Sequence, residues 1–260
     1  MMRKSLLKSI TLLFTMGLIM VSCDDVSLDQ PSVDTSAAQE NAKTSKAVGE
    51  VFSAIENGLS GLKSLPSCPA ISYELVTGKL KVDYGVDGCS PPDVVTKKGI
   101  IYAQITGYQQ GWGDGTSAVV TFVDFYIDDA QLTGSMTITA HVINNITSYT
   151  IDAVDMALTF SDASKVQWNS TITMTLLSKI SANKYWSISG TSEGTSRKGV
   201  SFTNISDQLE TQPDCNWFVD GTLTITAANN VDVLTFSEDC GTVTIKHNKL
   251  PAITVNLDNI

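Results

Sequence analysis

The residues whose types could do chemistry are few and scattered. Gly190-Thr191-Ser192-Glu193-Gly194 has the letters of the G-x-S-x-G elbow, in which a strained strand-to-helix turn lifts a serine hydroxyl toward a histidine and an acid. No helical pattern follows it. Thr195 to Lys198 leads into another alternating run, so the segment reads as a turn joining two strands. Ser181-Ala182-Asn183-Lys184 matches S-x-x-K, yet it lacks the helix that would bring the lysine beside the serine, and no S-D-N or K-T-G partner exists. The chain has 2 histidines. His141 falls on the solvent face marked by Thr137 and Thr139, whereas His247 extends the apolar Val243/Ile245 face at a strand end and reads as an edge or core histidine. Without C-x-x-C or H-E-x-x-H, the spacing argues against catalytic zinc. Asp124, Asp128 and Asp129 could offer oxygens to calcium, with Asp124 and Asp128 on one strand parity, but no D-x-D-x-D-G loop supplies further ligands. They read as solvated charges at a strand end. Carboxylate pairs for glycoside hydrolysis come from remote strands and leave no local signature. No catalytic residue, cofactor or metal is assigned, and the chain reads as non-enzymatic.

One loop is better suited to binding. In Gly107-Tyr108-Gln109-Gln110-Gly111-Trp112-Gly113-Asp114-Gly115, glycines surround an indole that could serve as a stacking platform. Tyr108, Gln109, Gln110, Trp112 and Asp114 form the candidate set for a glycan or protein ligand. The plainer reading, which is favoured, is a hairpin tip that needs glycine at positive φ, with Trp112 folded back onto the sheet. Trp168, Trp186 and Trp217 alternate with polar neighbours and read as core.

These residues must be carried by strands. After Pro69 the hydrophobic pattern has period two: Val119, Thr121, Val123 and Phe125 alternate with their neighbours, as do Met136, Ile138, Ala140 and Val142. Similar runs cover 149–160, 171–177, 185–190, 222–226 and 242–245, separated by Gly, Asn, Asp and Ser clusters. About a dozen strands with short connections predict an all-β antiparallel meander, forming a sandwich or an open barrel-like sheet. Ser117 to Ala130 reads as one long strand. Ahead of the sheet, Ser36-Ala37-Ala38-Gln39 has capping-box form, and Val48, Val51, Phe52, Ile55, Leu59 and Leu62 recur at helical spacing. The amphipathic helix is expected within 36–65, packed on the β-rich domain of 66–260, with Gly58, Gly61 and Pro66 ending it.

The start of the chain is an address. Arg3, Lys4 and Lys8 precede the apolar run Ile10 to Met20, and Val21-Ser22-Cys23 closes it, which predicts a lipoprotein signal peptide over 1–22. Cys23 would become the lipidated first residue, held to a membrane by its acyl chains. Residues 23–35 are polar, include Pro31, and read as a flexible tether. The formal net charge of −10 includes three cations that leave with the signal, so the mature chain is more acidic still. That balance argues against nucleic acid as a partner.

Lipidation also resolves the cysteine count. Of 5 cysteines, Cys68, Cys89, Cys215 and Cys240 remain for disulfides. The midpoint of Cys68 and Cys89 falls at Gly78-Lys79, and that of Cys215 and Cys240 beside Asn229-Asn230. Each pair would face across one antiparallel hairpin, where Cα separations of about 4.5 to 5.5 Å suit a disulfide. Local pairing, 68 with 89 and 215 with 240, is expected in an oxidising compartment. A short echo joins the two ends: Lys79 to Gly85 followed by Asp87-Gly88-Cys89 has the pattern of Val231 to Ser237 followed by Glu238-Asp239-Cys240.

Cys68-Pro69, Val82 to Cys89, Phe122 to Thr139 and Cys215-x-Trp217-x-Val219-x-Gly221 resemble a group of β-rich lipoproteins common in Bacteroidota. The likeness covers nearly the whole mature chain and implies lipid anchoring without implying an activity. Where that group often carries Phe-Gly-Asp-Gly before cysteine, this chain has Tyr84-Gly85-Val86-Asp87-Gly88 and Phe236-Ser237-Glu238-Asp239. Asp24-Asp25 after the lipidated cysteine resembles that group's signal for export to the cell surface. The expected location is therefore the cell envelope, anchored in the outer membrane and facing outward, whereas in enteric bacteria an aspartate in that place would instead favour retention at the inner membrane. The expected role is non-catalytic surface binding or structure. A carbohydrate- or peptide-directed hydrolase and a carrier of a hydrophobic ligand are the alternatives.

Overall fold

A computed structural model describes residues 36–59, 68–89, 96–108, 111–180, 183–212, 215 and 217–257. Helix α1 spans Ser36–Leu59 and precedes every strand. The strands are β1 (Ala70–Glu74), β2 (Lys79–Asp83), β3 (Lys97–Thr106), β4 (Ser117–Ile127), β5 (Ala130–Ile143), β6 (Ile146–Thr159) and β7 (Lys165–Ile180), then β8 (Asn183–Thr195), β9 (Ser201–Thr211), β10 (Phe218–Ala227), β11 (Asn230–Phe236), β12 (Thr242–His247) and β13 (Ile253–Asn256). All 13 lie in one sheet in sequence order, each antiparallel to its chain neighbour. Of the two arrangements expected, the open sheet is the one formed; β1 and β13 are its edges and it does not close.

Alternation explains which face turns inward. Ile101, Ala103 and Ile105 on β3, Ala118 and Val120 on β4, Met136, Ile138 and Ala140 on β5, and Ile151 and Ala153 on β6 are buried. Between them lie Tyr102, Gln104, Val119, Thr121 and Asp152, all exposed. Helix α1 sits against this inner face. Ala47, Val48, Val51, Phe52 and Ile55 are at most 2% exposed, leaving Lys43, Ser53 and Asn57 on a single wet stripe. Its contacts run across most of the sheet: Gly58 against Leu80 of β2 and Ile71 of β1, Glu50 paired with Lys97 of β3, Phe52 on Tyr149 of β6 and Trp186 of β8, and Asn41 bonded to Asn204 of β9. Lys46 reaches over the Trp217 ring, just before β10. A flat sheet cannot touch one helix at so many strands, so the sheet bends around it. Gly58 permits the closest approach; a Cβ there would meet Leu80 at 3.1 Å.

The bending has a local device. Asp124 on β4, Asp155 on β6 and Gln208 on β9 take positive φ (44°, 52° and 49°), and each faces a glycine of positive φ on the neighbouring strand: Gly99, Gly134 and Gly221. Strand register shifts at each of these places. These are β-bulges, which add a residue to one strand and sharpen its twist. A Cβ on Gly99 would lie 1.9 Å from the Asp124 carbonyl oxygen, and one on Gly221 2.2 Å from that of Gln208. Two of the bulge N–H groups are satisfied from the next strand, Asp155 by Asn169 Oδ1 at 2.8 Å and Gln208 by Ser189 Oγ at 3.0 Å.

Three expectations need correction. Ser117 to Ala130 is not one strand, because Asp128-Asp129 turn the chain between β4 and β5. The Gly190 to Gly194 run is not a turn; it lies inside β8, where Gly194 passes so near β7 that a Cβ would sit 2.0 Å from the Gln167 carbonyl oxygen. The disulfides join 68 with 89 and 215 with 240, as expected, with Cα separations of 6.0 and 5.6 Å. They do not link facing strand residues, however. The β1–β2 register pairs Ala70 with Asp83, so Cys89 lies beyond the hairpin in a segment bridged to Lys97 of β3. Likewise Cys240 occupies the turn after β11. Each bond clasps the flanks of a hairpin rather than its rungs.

Candidate functional site

The loop between β3 and β4 is built by its polar residues. Thr116, buried, donates its hydroxyl to the Gly107 carbonyl at 3.2 Å and accepts from the Gly113 N–H at 3.1 Å, closing the base of the loop. Asp114 accepts from the Val142 N–H at 3.1 Å, extending the β4–β5 ladder with a side chain. Tyr108 donates its hydroxyl to the Leu59 carbonyl at 2.9 Å, which satisfies one of the acceptors left open at the end of α1. The loop is thereby tied to the C-terminal end of the helix. Gln109 and Gln110 lie outside the described residues, as does Cys23.

Trp112 is not a free platform. It is half-buried, its ring set edge-on to Tyr149 with centroids 5.3 Å apart. Tyr149 in turn meets Phe52 at 4.8 Å and Trp186 at 5.7 Å, and Phe52 meets Trp186 at 5.2 Å. Tyr73 stands edge-on to Tyr108 at 5.7 Å. Such edge-to-face geometry is favoured by ring quadrupoles and fixes the rings in place. Glu56 is buried beside this cluster, one helical turn from Phe52. Burial pushes the Tyr149 hydroxyl well above its usual range, and the charges of Glu56 and Tyr108 add to the shift. Tyr108 moves in the same direction, by burial first and then through Tyr73 and Glu56. The Trp112 indole nitrogen is buried without a hydrogen-bond partner. Among the described residues of the loop, Asp114 and the neighbouring Gly113 and Gly115 are exposed.

The remaining candidates separate. Ser192 faces inward on β8, where its hydroxyl accepts from Asn204 Nδ2 at 3.0 Å, so it is a packing residue and not a nucleophile. The Ser181-Ala182 pair of the S-x-x-K match lies outside the described residues. Asp124 is a bulge residue, while Asp128 accepts from the Thr96 N–H at 3.2 Å and holds a turn. Among the described residues no cluster of histidine, cysteine and carboxylate could hold a metal ion. His141 is half-buried against Thr150 Oγ1 at 3.1 Å.

His247 gained a partner that spacing did not disclose. Asp232 stands directly across the β11–β12 ladder, and its carboxylate meets His247 Nδ1 at 2.5 Å. On the other side of the ring, Nε2 lies 3.2 Å from Asn248 Nδ2. Asn248 also donates to Asn230 and accepts from the Val231 N–H. Val231, His247, Asn248, Lys249 and Leu250 line a shallow depression at the end of the β11–β12 hairpin. The pair orients an imidazole whose two ring nitrogens are both engaged, Nδ1 by Asp232 and Nε2 by Asn248. Asp232 shares strand parity with buried Leu234 and Phe236 and is itself buried, but the residue it faces across the ladder is known only once register is known.

No family model, curated protein or solved structure matches the chain. No described helix is long and apolar enough to cross a membrane.

Proposed function

We propose that this is a lipid-anchored protein of the cell envelope with a non-catalytic role, presenting a rigid β scaffold that binds a glycan or protein partner or contributes structure at the surface. The observation that carries the reading is the filled interior: α1 occupies the inner face of the sheet, with Val51, Phe52 and Ile55 at most 1% exposed. A carrier of a hydrophobic ligand needs that face for its cargo, so the filling weighs against it. Recognition then falls to loops and the outer face, which suits a scaffold whose hairpin flanks are clasped near both ends of the sheet. The disulfides accord with an exported compartment, and the cationic start, apolar run and Cys23 accord with lipid attachment.

The test is made on intact bacteria producing the full chain. Added protease should remove the β domain from unbroken cells, and Cys23→Ala should shift the protein from the membrane to the soluble fraction. Protection from protease until the outer membrane is opened would overturn the surface placement, and unchanged membrane association of the variant would overturn the lipid anchor.

A further inference from the structure

The interface between α1 and strands β7–β9 differs from the rest of the interior. Near the helix C-terminus the helix meets the sheet mainly through rings and aliphatic groups, but toward its N-terminus hydroxyl groups are set among the apolar side chains of the facing surfaces. Thr44 and Ser45 of α1, Ser170 of β7, Ser192 of β8 and Ser206 of β9 surround a void of about 20 Å³, with Val48, Trp168, Ile172, Ile188 and Thr191 completing its wall. Beside it, Asn204 donates through Nδ2 to Asn41 Oδ1 at 2.5 Å and to Ser192 Oγ at 3.0 Å. Two polar atoms of this region have no protein partner: Ser170 Oγ, in a residue 9% exposed, and Asn204 Oδ1, in a residue 2% exposed.

A buried hydroxyl without a partner is costly, and interiors satisfy such groups with protein or with ordered water. A cavity needs about 10–15 Å³ of this kind of volume to hold one water molecule, together with two to four polar neighbours. The void meets both conditions. We propose that it is a binding site for a single structural water, held by Ser170 Oγ and by hydroxyls of the facing helix and of Ser192. Thr44 already donates its hydroxyl to the Asn41 carbonyl, so its oxygen retains lone pairs that can accept from the water. The water bridges α1 to the sheet where no direct side-chain bond to Ser170 exists. Together with the Asn41–Asn204 bond it holds the helix in one register along an otherwise apolar face.

Oxygen-17 relaxation dispersion on the full chain counts long-lived internal waters. Ser170→Val removes the hydroxyl and fills the void, and the variant is expected to show one long-lived water fewer than the parent; an unchanged count overturns the site. Because that variant could fail to fold, a second measurement uses the parent protein alone. Under xenon pressure, a polar wet site should take up no gas. Xenon-dependent shifts of Ile172 and Ile188 methyl signals would show a dry apolar void and overturn the proposal.

Discussion

At the scale of single residues, Trp112 decides how the β3–β4 loop is understood. Its ring belongs to the Tyr149–Phe52–Trp186 cluster, so Trp112→Ala should lower unfolding free energy by about 2 kcal/mol, short of the 3–5 kcal/mol typical of fully buried aromatics. Chemical denaturation measures this, and a change under 0.5 kcal/mol would return the ring to the role of an exposed platform. Tyr149 gives a second prediction through its proton. The hydroxyl has an ordinary value of 10.0, and burial raises it in the folded protein. Between those values the folded state keeps a proton that the unfolded state releases, so stability is intact below pH 10 and falls as the pH rises beyond it. Tyr149→Phe should flatten that alkaline decline, read as denaturation midpoints from pH 8 to 11. The bulge glycines are more sensitive. Gly221→Val asks a β-branched residue to adopt φ near 90° with its Cβ against the Gln208 carbonyl, and should cost about 3 kcal/mol or prevent folding.

At the scale of elements, the clasps are the testable units. Cys215 and Cys240 are 25 residues apart, and closing a loop of that size stabilises by about 3 kcal/mol in the chain-entropy account. The double replacement by alanine should lower unfolding free energy by that amount while leaving the strand signal in circular dichroism unchanged. The turn centres that suggested both pairings were legible because Gly78 and Asn229 interrupt strong alternation. The helix was legible by its stripe, and the structure carries it through Leu59. What escaped the sequence were relations fixed by register. Asp124 and Asp128 were read on one strand parity, but the bulge at Asp124 breaks the two-residue period and the parity argument with it. Asp232 meets His247 because one ladder sets them opposite, and nothing in either residue's neighbourhood announces the other. Asn41 and Asn204 are separated by 163 residues, a distance across which local pattern carries no signal.

At the scale of the molecule, the sheet and helix form one object in which the first element of the fold is also its filling. Removing residues 36–59 should therefore leave a sheet with an exposed apolar inner face, giving aggregation at concentrations where the full chain stays dispersed, as light scattering would report. A well-dispersed, cooperatively folding truncation would mean that the sheet can cover itself. The outer face, by contrast, is polar along most of its width, with exposed Thr121, Thr171, Thr173 and Thr191 among scattered valines.

That the filling comes first has a kinetic consequence. A chain made from its amino end delivers α1 long before the strands that cover it. Asn41 must wait for Asn204, and Phe52 for Trp186, while strands pair with their immediate predecessors as they emerge. The wall can assemble progressively, strand by strand, yet the helix remains without its full enclosure until β9 is in place. For much of its synthesis the chain thus carries an apolar helix only partly enclosed, and the order of assembly rather than the finished fold sets how long that surface stays open to self-association.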